Sequence, residues 1–256
     1  MSPTPHPNPW ELVQQFKEAA INAKKAGFDG VEVHAANGYI INQFIDNTAN
    51  KRTDEWGGSI ENRCRLALEV TKACVEIFGS NVAIKLSPCG GYNDVGCVEP
   101  SSSAANGPRI LKHGAPTSSM PLQETIDTYS YLITELDKLG LAYICLVRYL
   151  PYTDSTYDGV LRATQHDVFG TYRPLIKNTK VMFNGAIKPE EAEDIIAGGT
   201  ADLVAIGLDF ITHPDYAERV RHGKPLDNAL DMAHMQTNKT STDWRTGYND
   251  YPAAVY

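Results

Sequence analysis

GVEVHAANGY, residues 30–39, joins a strand pattern to a turn. Two valines alternate with Glu32 and His34, an alternation typical of a half-buried β-strand. The pair Asn37-Gly38 then breaks the alternation, and an apolar run of helical type follows over residues 40–45. The segment therefore predicts a strand, a tight turn and a helix in succession.

The strand end in this segment is a candidate active site. Alternation places Glu32 and His34 on one face of the strand, and the turn places Asn37 and Tyr39 just beyond its C-terminal end. Barrel enzymes carry their catalytic side chains at this end of parallel strands. A histidine that is satisfied in the core beside an ordinary turn is the alternative interpretation.

The same strand-then-helix order repeats along the chain. Strands are predicted at residues 30–34, 82–87, 142–147, 181–184 and 203–206. Helices are predicted at residues 9–26, 40–45, 60–78, 121–139, 171–177, 189–197 and 214–221, with a short one at 228–235. This alternation predicts an α/β domain, spanning residues 1–256, with a parallel sheet and right-handed crossovers.

One long segment does not fit the pattern. Residues 90–120 are rich in glycine and serine and show no sustained apolar periodicity. A loop of this length without secondary structure is uncommon in a compact domain. We expect a disordered insertion, and a lid over the active site is the functional alternative.

The composition excludes several classes of protein. The chain has 256 residues, a net charge of −8 and 42% hydrophobic residues, with no basic cluster that would bind nucleic acid. No apolar run is long enough to span a bilayer, and the first residues do not form a secretory signal. Five scattered cysteines predict reduced thiols in the cytoplasm, and no histidine or cysteine spacing indicates a metal site.

Two motifs give the chain a family resemblance. HAANGY at residues 34–39 and NKRTDEWGGSIENR at residues 50–63 resemble the old yellow enzyme family. LSP at residues 86–88, NG at 184–185 and HPD at 213–215 extend the likeness more weakly. The resemblance implies a (β/α)8 TIM barrel that uses FMN and NADPH to reduce an enal or enone. Within that family, the chain resembles the fungal branch that acts on chanoclavine-I aldehyde in ergot-alkaloid pathways.

The resemblance also implies a role for each candidate residue. His34 and Asn37 correspond to the pair that binds the substrate carbonyl, and Tyr39 to the proton donor. Lys85 stands where the family usually has an arginine beside the flavin pyrimidine, and it keeps the positive charge without the planar two-pronged contact.

The implied flavin phosphate site is weaker. Asn184, Gly185 and Gly207 offer backbone groups at strand ends, although glycines at such turns also have a purely geometric explanation. Leu208 replaces the family's phosphate-binding arginine, and Asp209 adds a carboxylate beside the expected dianion. We therefore expect FMN binding to be weak or absent.

The unit count separates the chain from its family. Five strand–helix units are found where the barrel has eight, so we expect an incomplete barrel that lacks the first three strands. Its unpaired edges would favour self-association. Three hypotheses follow: an ene-reductase, a truncated and inactive relative, or a flavin-independent isomerase or small-molecule-binding pseudoenzyme that uses the same three residues.

Overall fold

Five parallel strands form one sheet, in the order of the chain. The structure is a computed structural model that describes residues 4–93, 120–154, 156, 161–234 and 245–256. The strands are Val31–Ala35 (β1), Val82–Leu86 (β2), Tyr143–Val147 (β3), Lys180–Asn184 (β4) and Leu203–Ala205 (β5). The α-helices are Pro9–Lys25 (α1), Ile40–Ile45 (α2), Ile60–Phe78 (α3), Leu122–Asp137 (α4), Val168–Tyr172 (α5), Pro189–Ala197 (α6), Leu208–Thr212 (α7) and Tyr216–Arg221 (α8), with 3-10 turns at Pro151–Thr153 and Arg173–Leu175.

This topology is that of an incomplete barrel. Each strand pairs in parallel with the next one along the chain, as in a (β/α)8 barrel, and helices connect them. Within the described residues the sheet stays open, because β1 and β5 pair only with β2 and β4. The predicted five-unit arc is confirmed, and self-association through its two edges stays a prediction.

The two faces of the sheet have different environments. One face packs against the helices and forms the core, with fully buried residues that include Ile84, Leu86, Ile144, Leu146, Val181 and Phe183. The opposite face carries Glu32 and His34 on β1 and Lys85 on β2, all of them at least partly exposed. The predicted alternation in β1 is confirmed, because Val33 and Ala35 are buried on the core face.

Local signals fix the helix bounds. The Ser59 side chain accepts a hydrogen bond from the backbone N–H of Asn62 at 3.3 Å and caps the start of α3. Gly79 then ends α3 with φ +59°, a conformation that glycine adopts without strain. The predicted bounds of α2, α3 and α6 agree with the structure.

Two predicted helices and one helix that was not predicted differ from the sequence-based expectation. The helix predicted at 171–177 begins earlier, as α5, because Asp167 caps it by accepting from the N–H of Gly170 at 3.0 Å. The five-residue helix α7 was not predicted. Residues 228–234 are not helical, because Asn228 instead donates to the carbonyls of Thr212 and Pro252 at 2.6 and 3.0 Å.

Two further expectations were a disordered insertion at residues 90–120 and the absence of a membrane-spanning segment. Most of the predicted disordered insertion, residues 94–119, lies outside the described residues. Among the helices that the structure describes, none is both long enough and apolar enough to cross a membrane.

Candidate active site

The His34 side chain projects from β1 on the face of the sheet opposite the core. It lies in register with Lys85 on β2, which lies in register with Cys145 on β3. Partial burial lowers the pKa of His34, the nearby charge of Lys85 lowers it further, and Glu32 opposes the shift. His34 is therefore neutral near pH 7, and a neutral imidazole can donate one N–H to a ligand oxygen.

The turn after β1 has a backbone that few residues can adopt. Asn37 and Gly38 both have positive φ angles, +56° and +75°. Asparagine and glycine are the residues that tolerate this left-handed region best. A Cβ atom at position 38 would also overlap the backbone carbonyl of Tyr92. The Asn37-Gly38 sequence is thus required by the path of the chain.

Side-chain hydrogen bonds hold this turn on several sides. The N–H of Asn37 donates to the Ser87 hydroxyl at 2.7 Å, and the N–H of Gly38 donates to Asn42 Oδ1 at 2.8 Å. Gln43 Nε2 donates to the Gly38 carbonyl at 2.7 Å. Because these bonds fix the backbone, the turn presents the side chains next to it in a set orientation.

Tyr129 and Asn93, which are distant in the sequence, also contribute hydrogen bonds that hold this turn. Asn42, which is 1% exposed, donates through Nδ2 to the Tyr129 hydroxyl of α4 at 3.0 Å. Asn93 Nδ2 donates to the Asn37 carbonyl at 2.8 Å. These supporting roles were not predicted, although a polar Asn42 within the apolar stretch of α2 is a signal that could have indicated one.

The three residues predicted to bind and protonate a substrate lie together at this strand end. The rings of His34 and Tyr39 are 5.2 Å apart between centroids, tilted by 49°, and the Tyr39 side chain is exposed. Asn37 Oδ1 is buried and has no hydrogen-bond partner within the described part of the chain. A buried amide oxygen without a partner is costly, and a donor from a bound water or ligand would satisfy it.

The predicted cofactor residues of β4 lie at the neighbouring strand ends. Asn184 donates through Nδ2 to the carbonyl of Ala205 at 3.1 Å, which joins the ends of β4 and β5. Gly185 has φ +136°, and its carbonyl accepts from Arg148 Nε at 2.7 Å. The Arg148 guanidinium is also paired in two-pronged fashion with Glu191 of α6, so its charge is already compensated.

The end of β5 offers little for a phosphate group. Gly207 precedes α7 with open space around its Cα, and no side chain caps that helix. The Asp209 carboxylate accepts from Lys188 Nζ at 2.9 Å, so this cation too is compensated, while Leu208 adds no charge. The loops after β4 and β5 therefore offer backbone groups to an anion, while their cations Arg148 and Lys188 are already paired with carboxylates.

Metal-ligating side chains do not cluster in the described part of the chain, where no three His, Cys, Asp or Glu side chains lie close enough together to hold an ion. His213 is 2% exposed, and its imidazole contacts the Asp209 carbonyl at 3.0 Å and the N–H of Asn228 at 3.1 Å. It is therefore a structural residue that holds the C-terminal segment.

Comparison with known proteins agrees with this geometry. The NADH:flavin oxidoreductase / NADH oxidase family matches residues 10–106. Two proteins of Oryza sativa subsp. japonica are each 34% identical over 94% of the chain: 12-oxophytodienoate reductase 7, of which the match covers 56%, and putative 12-oxophytodienoate reductase 10, of which it covers 67%.

A solved structure extends the likeness to the fold. The old yellow enzyme homologue from Zymomonas mobilis superposes with a TM-score of 0.74 at 28% identity, over 96% of this chain and 59% of that one. The chain thus spans between half and two thirds of the length of the proteins it matches. On sequence and fold together, it belongs to the old yellow enzyme family of flavin oxidoreductases.

Proposed function

We propose that this chain carries the substrate-binding and proton-donating part of an ene-reductase site for an α,β-unsaturated aldehyde or ketone. His34 and Asn37 bind the carbonyl oxygen, and Tyr39 gives a proton to the α-carbon. The supporting observation is the approach of the His34 and Tyr39 rings, 5.2 Å apart, across a turn whose backbone is fixed by hydrogen bonds. As the substrate class we favour an enal of the type reduced in ergot-alkaloid pathways. As the compartment of the protein we favour the cytoplasm.

The chemistry follows from where charge develops. When a hydride adds to the β-carbon of an enone, negative charge moves to the carbonyl oxygen, and fixed hydrogen-bond donors stabilise it. A neutral His34 supplies such a donor without the cost of burying a cation. The phenol of Tyr39 then delivers a proton to the α-carbon, which completes the addition of two hydrogens across the double bond.

The cofactors of this proposal are FMN and NADPH. A reduced flavin would supply the hydride, with Lys85 beside its pyrimidine and with Asn184, Gly185 and Gly207 at its phosphate end. Because the cations near that end are already paired, the proposal includes weak FMN binding by the isolated chain and low or absent reductase activity.

Introducing the missing arginine should strengthen flavin binding. We expect Leu208→Arg to tighten FMN binding about 10- to 100-fold, because a charge-assisted bond to phosphate is worth roughly 1.5–3 kcal/mol. Leu208 is 38% exposed, so the longer side chain can be accommodated. Titration of FMN fluorescence measures the affinity, and Leu208→Gln is the control without charge. Equal affinities for the two variants would contradict the placement of the phosphate end.

A flavin-independent reaction is the second candidate function. It is favoured by the contrast between an intact set of His34, Asn37 and Tyr39 and a phosphate end whose cations Arg148 and Lys188 are already paired. The visible spectrum of the purified protein, taken before and after addition of FMN, distinguishes the two. A yellow protein that reduces an enone with NADPH supports the ene-reductase, and a colourless protein that shifts the double bond of an enone supports the isomerase.

Tyr39→Phe tests the proton donor in either reaction. We expect the rate of enone conversion to fall about 100-fold, because a positioned general acid contributes at least that factor. Enone binding should change little, since His34 and Asn37 remain. Tyr248→Phe, which also removes an exposed phenol, is the matched control. An unchanged rate in Tyr39→Phe would remove Tyr39 from the mechanism.

A further inference from the structure

A second cleft lies beside α2, and none of His34, Asn37 and Tyr39 lines it. Its volume is about 560 Å³, enough for a small organic molecule. The walls come from the N-terminal residues 4–6, from α2 and from the loop of residues 49–54. The proposed function leaves this cleft unused.

The floor of the cleft is rigid. Asn50 is 9% exposed, and its Nδ2 donates to the carbonyls of Phe44 and Trp56 at 2.7 and 2.8 Å. Trp56, which is 2% exposed, packs edge-on against the Phe44 ring with 6.4 Å between centroids. Phe44, which is 7% exposed, is thereby held in place, with the Arg52 guanidinium 6.0 Å from its ring centroid. Ile40, which is 37% exposed, supplies most of the apolar surface along α2.

The charged side chains that line the cleft include Lys51 and the pair formed by Arg52 and Asp54. Arg52 and Asp54 neutralise each other through a two-pronged contact, with Nε to Oδ1 at 3.0 Å and an NH2 contact to Oδ2 at 2.5 Å. Arg52 also donates to the carbonyl of His6 at 2.8 Å, which fixes the N-terminal wall. Lys51 is exposed and donates to the Asn47 carbonyl at 2.6 Å, with no carboxylate of the described residues at ion-pair distance.

We propose that this cleft binds a small amphipathic monoanion, a carboxylate attached to a flat apolar body. The carboxylate pairs with Lys51, and the apolar body lies against Ile40 and the exposed edge of Phe44. The cleft is also coupled to the turn after β1, because Gln43 lines it and donates to the Gly38 carbonyl at 2.7 Å. A ligand bound in the cleft could thus act as an effector of the turn after β1. The cleft can bind such a ligand whether or not the ene-reductase proposal holds.

Calorimetric titration of the full chain with 2-naphthoate tests the proposal, with the neutral 2-naphthamide as the matched ligand. We expect saturable binding of 2-naphthoate and about tenfold weaker binding of the amide, because a charge-assisted hydrogen bond is lost. Lys51→Gln should weaken 2-naphthoate binding about tenfold and leave the amide unchanged.

Lys72→Gln, an exposed lysine of α3 outside the cleft, is the control and should bind like the unaltered chain. Three results would overturn the proposal: no saturable binding, equal affinity for the acid and the amide, or equal affinities of Lys51→Gln and Lys72→Gln for the acid. Because Lys51 is exposed, its substitution should leave the fold intact, which circular dichroism verifies.

Discussion

Arg63→Ala should lower the free energy of unfolding by about 3–5 kcal/mol, because it removes a buried guanidinium that makes several charge-assisted hydrogen bonds. Arg63 is 4% exposed although it carries a full charge. Its Nε donates to the carbonyl of Ile45 at 3.0 Å, and its NH1 donates to the carbonyl of Gly58 at 2.6 Å. One side chain thus joins the end of α2 to the loop that precedes α3.

The other side of the guanidinium reaches α4. The NH2 group of Arg63 donates to Glu124 Oε1 and to the Thr128 hydroxyl, each at 3.0 Å. Glu124 is 33% exposed and would keep Asn47 Nδ2 as a donor at 2.5 Å. The expected loss therefore comes mainly from the carbonyls of Ile45 and Gly58 and from the Thr128 hydroxyl, which would each lose a charged donor. Since α2 carries Asn42 and Gln43, the same change should also loosen the turn after β1.

Urea unfolding measures the loss, and Lys72→Ala on the same helix is the control. Lys72 is exposed and pairs with Glu69 at 2.8 Å, a surface pair of the kind worth only about 0.2–1 kcal/mol. If Arg63→Ala unfolds at nearly the same urea concentration as Lys72→Ala, the buried hydrogen bonds of Arg63 do not stabilise the fold as proposed.

The elements that the sequence predicted well are those whose signals are local. Helix α3 begins after a capping serine and ends at a glycine, and β1 alternates strictly between polar and apolar residues. Helix α7 has neither signal, because it is five residues long and Gly207 before it provides no capping side chain. An isolated helix of that length has no stability of its own and forms only through tertiary contacts.

The candidate site shows the same division. His34, Asn37 and Tyr39 lie within six positions of one another, so a motif can reveal them. The contacts that fix their turn are not local: Ser87 is 50 positions from Asn37, and Tyr129 is 87 positions from Asn42. The paired state of Lys188 likewise depends on Asp209, 21 positions away, and only the fold brings the two together.

Asp137→Asn is expected to cost about 3 kcal/mol at pH 7, because hydrogen bonds to a buried carboxylate are among the stronger ones. Asp137, which is 4% exposed, ends α4 and binds the segment that leads into β4. Its oxygens accept from the backbone N–H groups of residues 177, 178 and 179, each at 2.9 Å. An asparagine would turn an N–H₂ group toward some of these donors.

This loss should depend on pH in a defined direction. Burial by itself would raise the pKa of Asp137, but the hydrogen bonds from residues 177–179 outweigh it, so the pKa lies below its usual value. A carboxyl whose pKa is lower in the folded state stabilises the fold above its unfolded pKa of about 3.9, and the stabilisation is lost as the pH falls through the folded pKa. The difference between the unaltered chain and Asp137→Asn should therefore be full at pH 7 and shrink below about pH 4.

Urea unfolding of both proteins between pH 7 and pH 3 measures that difference, with the exposed Asp127→Asn of the same helix as the control. Asp127 accepts only from the Gln123 side chain at 2.8 Å in the described structure, so its replacement should cost less than about 0.5 kcal/mol. A cost for Asp137→Asn that stays constant across this range would show that the charge of Asp137 is not what holds the approach to β4. Because β4 ends at Asn184 and Gly185 follows it, the same variant should also displace the strand end that is proposed to bind the cofactor.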